Sequence, residues 1–247
     1  MTLLRWADVS RETLNEALPE ALVVLPVGAT EQHGRHLATG TDALLAATAA
    51  ERAAELAAGR VNRTLVLAPV LPFGASDHHL AFGGTLSLTP ETLLAVLVDL
   101  LRSVAADGGR RVVLVNGHGG NVGVCHAAAA AASTRHRLAV AHVDYWRFAA
   151  DDPAGGVPGH AGEFETSLVA AVRPHAVGPV PPRTQPLPEA TGAPQPKGVT
   201  VHDAALWTAI DGYTDHPERA GAEHGGAWLD TVVAGLAACL AGLTETL

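Results

Sequence analysis

An α/β fold, with a mainly parallel sheet between two layers of helices, is predicted by three observations. Short β-branched or Leu-rich runs alternate with longer Ala/Leu-rich runs along most of the 247 residues. The strand-like runs are apolar almost throughout, as expected where both faces of a sheet are covered. Polar segments rich in Gly and His follow several of these runs, at the strand ends where such sheets hold their ligands.

The elements follow in order. A strand is expected at 22–27, and a helical pattern at 42–57 follows it. A second strand covers 65–70. Pro90 after Thr89 suits the first position of a helix over 90–106, and Glu91 adds negative charge to its first turn. The run 111–116 is a strand that ends in a Gly-rich turn. A helix at about 122–134, a strand at about 138–143 and helices at about 163–172 and 222–243 complete the pattern. Such alternation builds a three-layer α/β/α single domain over 1–247. Seven prolines between Pro179 and Pro196 mark one long irregular stretch. Because helical sequence resumes after it, it reads as an ordered loop over about 178–198 rather than a linker.

Composition narrows the function classes. The net charge of −9 disfavours nucleic acid, whose binding rests on clustered Lys and Arg. With 48% hydrophobic and 17% charged residues, no uninterrupted apolar run of about 18 residues and no basic head before an apolar stretch, the expectation is a soluble, cytoplasmic protein with no membrane partner. Cys125 and Cys239 lie in Ala/Val-rich helical patterns and read as small buried residues rather than a disulfide or a nucleophile. Small-molecule chemistry is the expected activity.

Four segments could carry that chemistry. After the first strand, Gly28-Ala29-Thr30-Glu31-Gln32-His33-Gly34-Arg35-His36-Leu37 and Thr41-Asp42 bring carboxylates and imidazoles together within a few residues. Glu31 and His33 share a face in extended backbone. Oxygen and nitrogen ligands without thiolates suit a divalent zinc, manganese or iron site, and the alternative is a polar loop with chance histidines. The second segment, Asn116-Gly117-His118-Gly119-Gly120-Asn121, lets the backbone turn sharply around His118, although a phosphate cradle would have a similar shape. In the third, His160-Ala161-Gly162-Glu163-Phe164-Glu165-Thr166-Ser167, His160 and Glu163 would be neighbours on a helix, while Glu163 and Glu165 also suit a helix N-terminus. A fourth stretch, 74–85, with Ser76, His78 and His79, either lines a pocket or forms a solvated loop.

Taken together, Glu31-Gln32-His33-Gly34 with Thr41-Asp42, Ser76-x-His78-His79 before Phe82-Gly83-Gly84-Thr85, Asn116-Gly117-His118-Gly119-Gly120-Asn121 and His160 to Ser167 resemble, in order, the motifs of the creatininase family of metal-dependent amidohydrolases. The resemblance covers nearly the whole chain. It implies a creatininase-like three-layer subunit, assembled as a homohexamer, with two divalent ions (Zn, Mn or Fe) and hydrolysis of an amide C–N bond other than a peptide bond. Carried over by position, it makes Glu31 and His118 ligands of one metal, His33 a ligand of the other, and Asp42 the bridge. Creatininases proper carry a glutamate where Gly120 stands, so the chain resembles a Gly-Gly loop subgroup in which Glu163 supplies the missing carboxylate. Glu165 is then expected to orient neighbours or cap the helix rather than to ligate.

In that mechanism a water held between two ions loses its proton near neutral pH and attacks the amide carbonyl, with His160 as the acid for the departing nitrogen. The pocket residues carried over are Ser76, His78, Gly119, Gly120 and Trp146, the last from the segment Tyr145-Trp146-Arg147-Phe148. Gly156 and Gly159 replace a tryptophan and an acidic residue of creatininases, which turns the expectation toward a small cyclic amide or formamide rather than creatinine. Creatinine itself, a peptide or formamide of a cofactor pathway, and a catalytically silent metal-binding scaffold remain the alternatives. Arg35, in place of a proline, either binds an anionic substrate group or is solvated; His36 is expected in a supporting or pocket role.

Overall fold

The computed structural model describes residues 2–149, 158–180 and 201–247. Five strands, β1 (Leu3–Arg5), β2 (Leu22–Val27), β3 (Leu65–Leu67), β4 (Arg111–Asn116) and β5 (Ala139–Asp144), form one sheet in the order β1-β3-β2-β4-β5. Every pairing is parallel, and β2 and β4 run in register from Leu22↔Arg111 to Val27↔Asn116. The helices are α1 (Arg11–Ala17), α2 (Thr41–Ala58), α3 (Pro90–Ala106), α4 (Val122–His136), α5 (Glu163–Val172), α6 (Ala204–Ala209) and α7 (Ala222–Thr246).

Side-chain alternation along each strand divides the core. Leu22, Val24, Val113 and Val115 join Leu45, Leu168 and Leu236 of α2, α5 and α7 on one face; Val23, Leu25, Val112 and Leu114 join Leu14, Leu97 and Ala128 of α1, α3 and α4 on the other. Both faces are therefore buried, which explains the continuous apolar strands. Each fully buried Leu or Val contributes about 1.5–3 kcal/mol relative to exposure. Helix α7 is the described helix whose length and mean hydropathy, 1.6, would suit a membrane crossing. Its large side chains Leu229, Val232, Leu236 and Leu240 instead enter the core beside α2 and α5.

Most expected elements appear within two or three residues of their expected ends. Thr89 caps α3 through its side chain, which accepts from Thr92 N–H, and Pro90 begins the helix. The strand expected over 65–70 stops at Leu67, because Pro69 has no N–H for the ladder and chain pairing resumes only at the isolated bridge Val27↔Leu71. Strand β1, helix α1 and helix α6 were not expected; all are too short to show a hydrophobic period. Of the ordered loop expected over about 178–198, residues 181–198 lie outside the described residues.

Candidate metal centre

The central strands deliver the polar cluster. From β2 the chain runs outward through Glu31 and His33 and returns at Asp42 in the first turn of α2; β4 ends in the turn that carries His118. Connections from these adjacent strands leave toward opposite sides of the sheet, since β2 continues to β3 and β4 to β5. Such a parting of connections opens a crevice beyond the strand ends.

Within the crevice, His33 Nε2 lies 2.9 Å from Asp42 Oδ1. His118 Nδ1 lies 3.1 Å from Asp42 Oδ2 and 3.3 Å from Glu31 Oε1. His160 Nδ1 is 3.4 Å and His79 Nε2 3.5 Å from the same Glu31 oxygen, and His33 Nε2 is 3.7 Å from Glu165 Oε2. Four groupings have ligand atoms within 4.8 Å of one another: Glu31/His33/Asp42, Glu31/His78/His118, Glu31/His79/His160 and His33/His160/Glu165.

A cation fits these groups better than the protein alone does. Glu31 and His33 are fully buried and Asp42 nearly so. Among the described residues, neither carboxylate oxygen of Glu31, nor Asp42 Oδ2, has a hydrogen-bond partner. Leaving a buried carboxylate so poorly satisfied costs several kcal/mol, which a bound divalent ion offsets. His33 and His118 have the outer partners usual for metal-bound imidazoles, because the ring nitrogen turned away from the cluster meets a backbone carbonyl, Glu31 O at 3.1 Å and Ala75 O at 3.1 Å.

The electrostatics of the cluster's own groups agree. Burial disfavours the charged His33 ring, but Asp42, Glu165 and Glu31 outweigh it and push its pKa up to about 10. His118 is likewise raised well above its usual range against its burial, chiefly by Glu31 and Asp42. Burial raises Glu165 to about 7, with His33 opposing and Asp42 assisting. Glu31 is held well below the carboxylate range despite burial, by His118, His160 and His33. Burial and the neighbouring His33 push His160 well down, and burial lowers His79 to about 4. Protons on His33 and His118 thus occupy positions that a cation would take.

Asparagines brace the turns that present these ligands. Asn116 Oδ1 accepts from His118 N–H at 3.1 Å, while its Nδ2 lies 2.9 Å from both His118 O and Asp144 Oδ1. Arg147 Nε donates to the other Asp144 oxygen at 2.9 Å. Asn121 ties the end of β2 to the pocket loop, donating to Gly28 O and accepting from Ala75 N–H. Cys125 is buried behind this turn and its thiol is pushed up to about 12, as suits a packing residue.

Several expected residues fall elsewhere. Glu163 begins α5, with its N–H bonded to Asp215 Oδ2 at 2.9 Å, and it belongs to none of the four groupings. The carboxylate that α5 brings to the cluster is Glu165. Residues two apart on a helix point about 200° apart, so only one of the pair can face inward. Glu165 was expected only to orient neighbours or cap the helix; it accepts from Ala161 N–H at 2.6 Å and also stands in the cluster. Trp146 is a core residue packed edge-on against Tyr145, not a pocket wall. The aromatic over the cluster is Trp207 of α6, with ring centroids 4.6 Å from His79, 5.3 Å from His160 and 5.4 Å from His78.

Ser76 is buried with Oγ 3.3 Å from His118 Nε2, and His78 stacks parallel to His118 at 5.8 Å. Gly119 and Gly120 form the turn after His118; a Cβ at Gly120 would overlap Ala75 O and stand 2.5 Å from His118 Nε2, so no glutamate fits there without moving the turn. His36 links the first motif to α5 through Ala161 O and Thr166 Oγ1. Arg35 is exposed and 3.7 Å from Asp211, and Gly156 lies outside the described residues. The sequence reading missed His79 and Gln32 as cluster residues; the run of identical polar types in the motifs gave no sign of which side chains turn inward.

The fold is thus a parallel α/β sheet with, beyond its central strand ends, a buried cluster of histidines and carboxylates that could hold a metal ion. Residues 4–240 match the family model described as creatinine amidohydrolase, and the chain belongs to this creatininase family of amidohydrolases. It is 38% identical over 163 residues to a mycofactocin precursor peptide peptidase of Mycolicibacterium smegmatis, a match covering 63% of this chain and 60% of that relative's length. A creatinine amidohydrolase of Pseudomonas putida is 32% identical over 196 residues, 70% of this chain and 72% of the relative. A solved structure described as "Creatininase Mn" superposes with a TM-score of 0.76 at 29% identity, covering 96% of this chain and 97% of that one.

Proposed function

We propose that the chain is a binuclear metal-dependent amidohydrolase that cleaves the C–N bond of a small cyclic amide or formamide. The observation that carries this reading is Glu31, whose two buried carboxylate oxygens have no hydrogen-bond partner among the described residues while facing three imidazoles. Glu31, Asp42 and His118 would hold one ion, and His33, Asp42 and Glu165 the other, with Asp42 shared. Ions bound there supply Lewis acidity that polarises a carbonyl and lowers the proton affinity of water.

The remaining steps belong to the chain's own groups. His160 Nδ1 takes the proton of the attacking water as the new C–O bond forms, then returns it to the nitrogen as the C–N bond breaks. Proton count is conserved: acid and amine leave. Trp207, His78 and Ser76 shape the mouth that orients the substrate. Assembly as a homohexamer is part of the same reading.

A second substrate reading, a terminal amide bond of a short peptide, is favoured by the 38% identity to the mycofactocin precursor peptide peptidase of Mycolicibacterium smegmatis. A hydrolysis screen of metal-reconstituted protein over creatinine, other lactams, formamides and short peptides decides between them. Turnover of a lactam or formamide supports the first reading, turnover of peptides alone the second. An Asp42→Ala control as active as the wild type contradicts both.

A further inference from the structure

Four of the imidazoles in these groupings, His33, His79, His118 and His160, are not turned alike. In His33, His118 and His160 the outward nitrogen meets a backbone carbonyl: Glu31 O at 3.1 Å, Ala75 O at 3.1 Å and Gln32 O at 2.9 Å. A carbonyl only accepts, so in the neutral ring the N–H points outward and a lone pair points at the carboxylates. That is the arrangement of a ligand or a base.

His79 is reversed. Its Nδ1 lies 2.8 Å from Nε2 of Gln32, an amide nitrogen that can only donate. Two backbone groups fix the amide's orientation, since Gln32 Oε1 accepts from Gly34 N–H at 2.9 Å and Nε2 donates to Gly212 O at 2.7 Å. A flipped amide would set N–H against N–H and oxygen against oxygen. Of the two hydrogens on Gln32 Nε2, one serves Gly212 and the other His79. His160 Nε2, 3.2 Å from the same nitrogen, already donates to the Gln32 carbonyl. The proton of His79 therefore sits on Nε2, which lacks a hydrogen-bond partner among the described residues and faces Glu31.

We propose that Gln32 locks His79 in the Nε2–H tautomer, so that His79 is a fixed hydrogen-bond donor to the substrate oxygen and not a metal ligand, although distance alone groups it with Glu31 and His160. The chemical role rests on the hydrolytic reading above; the tautomer does not. Gln32 is then a positioning residue. The His79 and His160 rings stack at 4.3 Å and 20°, with Trp207 edge-on to both, which holds their planes. One amide thus sorts two adjacent rings into a donor, which keeps its proton while charge develops on the carbonyl oxygen, and an acceptor, which gains one.

The test is ¹⁵N solid-state NMR of histidine-labelled protein, with and without zinc, the His79 signals being identified by their loss in His79→Gln. The expected spectrum shows a protonated Nε2 and a bare Nδ1 for His79 in both states. Gln32→Glu, which keeps the shape but offers an oxygen to Nδ1, moves the proton to Nδ1. His79→Gln retains the wild-type number of zinc ions per chain and loses about 100-fold in kcat, the scale of one lost donor to a developing oxyanion. A proton on Nδ1 in the wild type, or a zinc ion lost from His79→Gln, overturns the proposal; should Gln32→Glu not fold, these two measurements still decide it. Failure of the hydrolytic reading appears differently, as a protein without hydrolysis whose His79 tautomer is nonetheless the one expected.

Discussion

His33 Nε2 and Asp42 Oδ1 stand 2.9 Å apart with both side chains buried, joining the loop after β2 to the first turn of α2. The loop that leaves the sheet is thereby closed on itself at the cluster. If this pair holds a cation, zinc or manganese raises the melting temperature of the wild type, with about 2.7 kcal/mol gained at a hundredfold excess over Kd. Asp42→Asn abolishes that rise. Equal stabilisation of the variant in differential scanning calorimetry removes Asp42 from the site.

The pH dependence of the metal-free protein has a defined sign. His33 titrates near 10 in the folded chain against an ordinary 6.5, and His118 is raised in the same direction. A raised histidine binds its proton more tightly in the folded state, so its stabilisation is complete below the unfolded pKa and is lost as pH climbs through the folded one. Stability of the chelated protein therefore falls between about pH 7 and pH 10. Metal competes with these protons, so affinity rises over the same window. Urea midpoints at pH 7.5 and 9.5, with and without zinc, measure both trends; a midpoint of the chelated protein that increases with pH contradicts the charge assignment.

Gly120 predicts a steric effect. Gly120→Ala places a methyl against Ala75 O and His118 Nε2. Relief requires His118 to move, and the expected cost is about 1–3 kcal/mol of stability together with weaker metal binding. Equilibrium dialysis against zinc checks the second effect, and unchanged affinity would show that the turn relaxes freely.

Trp207, and not the Trp146 expected from the sequence, stands over the cluster. Trp146→Ala opens a core cavity and should cost about 3–5 kcal/mol. Trp207→Ala, over the mouth, should leave the melting temperature within a few degrees and raise KM. The reverse pattern in paired melting and kinetic measurements would return Trp146 to the pocket.

The sheet was legible because burial on both faces left continuous apolar runs, and the capping chemistry of Thr89 and Pro90 marked a helix start to the residue. Short elements such as β1 and α6 carry no period to read. In the cluster, residue types were visible but facing was not: Glu163 and Glu165 point about 200° apart on α5, and the rotation of that helix about its axis, which turns Glu165 to the cluster, is set by packing that the local sequence does not show. Gln32 and His79 were hidden for another reason, since their role depends on Gly212, 180 residues further along the chain.

Metal content is the most direct test of the site. Elemental analysis of purified wild type is predicted to give close to two divalent ions per chain, retained in Glu163→Gln and reduced in Glu165→Gln and His118→Ala variants that still fold. A fully active wild type with no bound metal, or a Glu163→Gln variant that loses an ion while Glu165→Gln keeps both, would contradict the account.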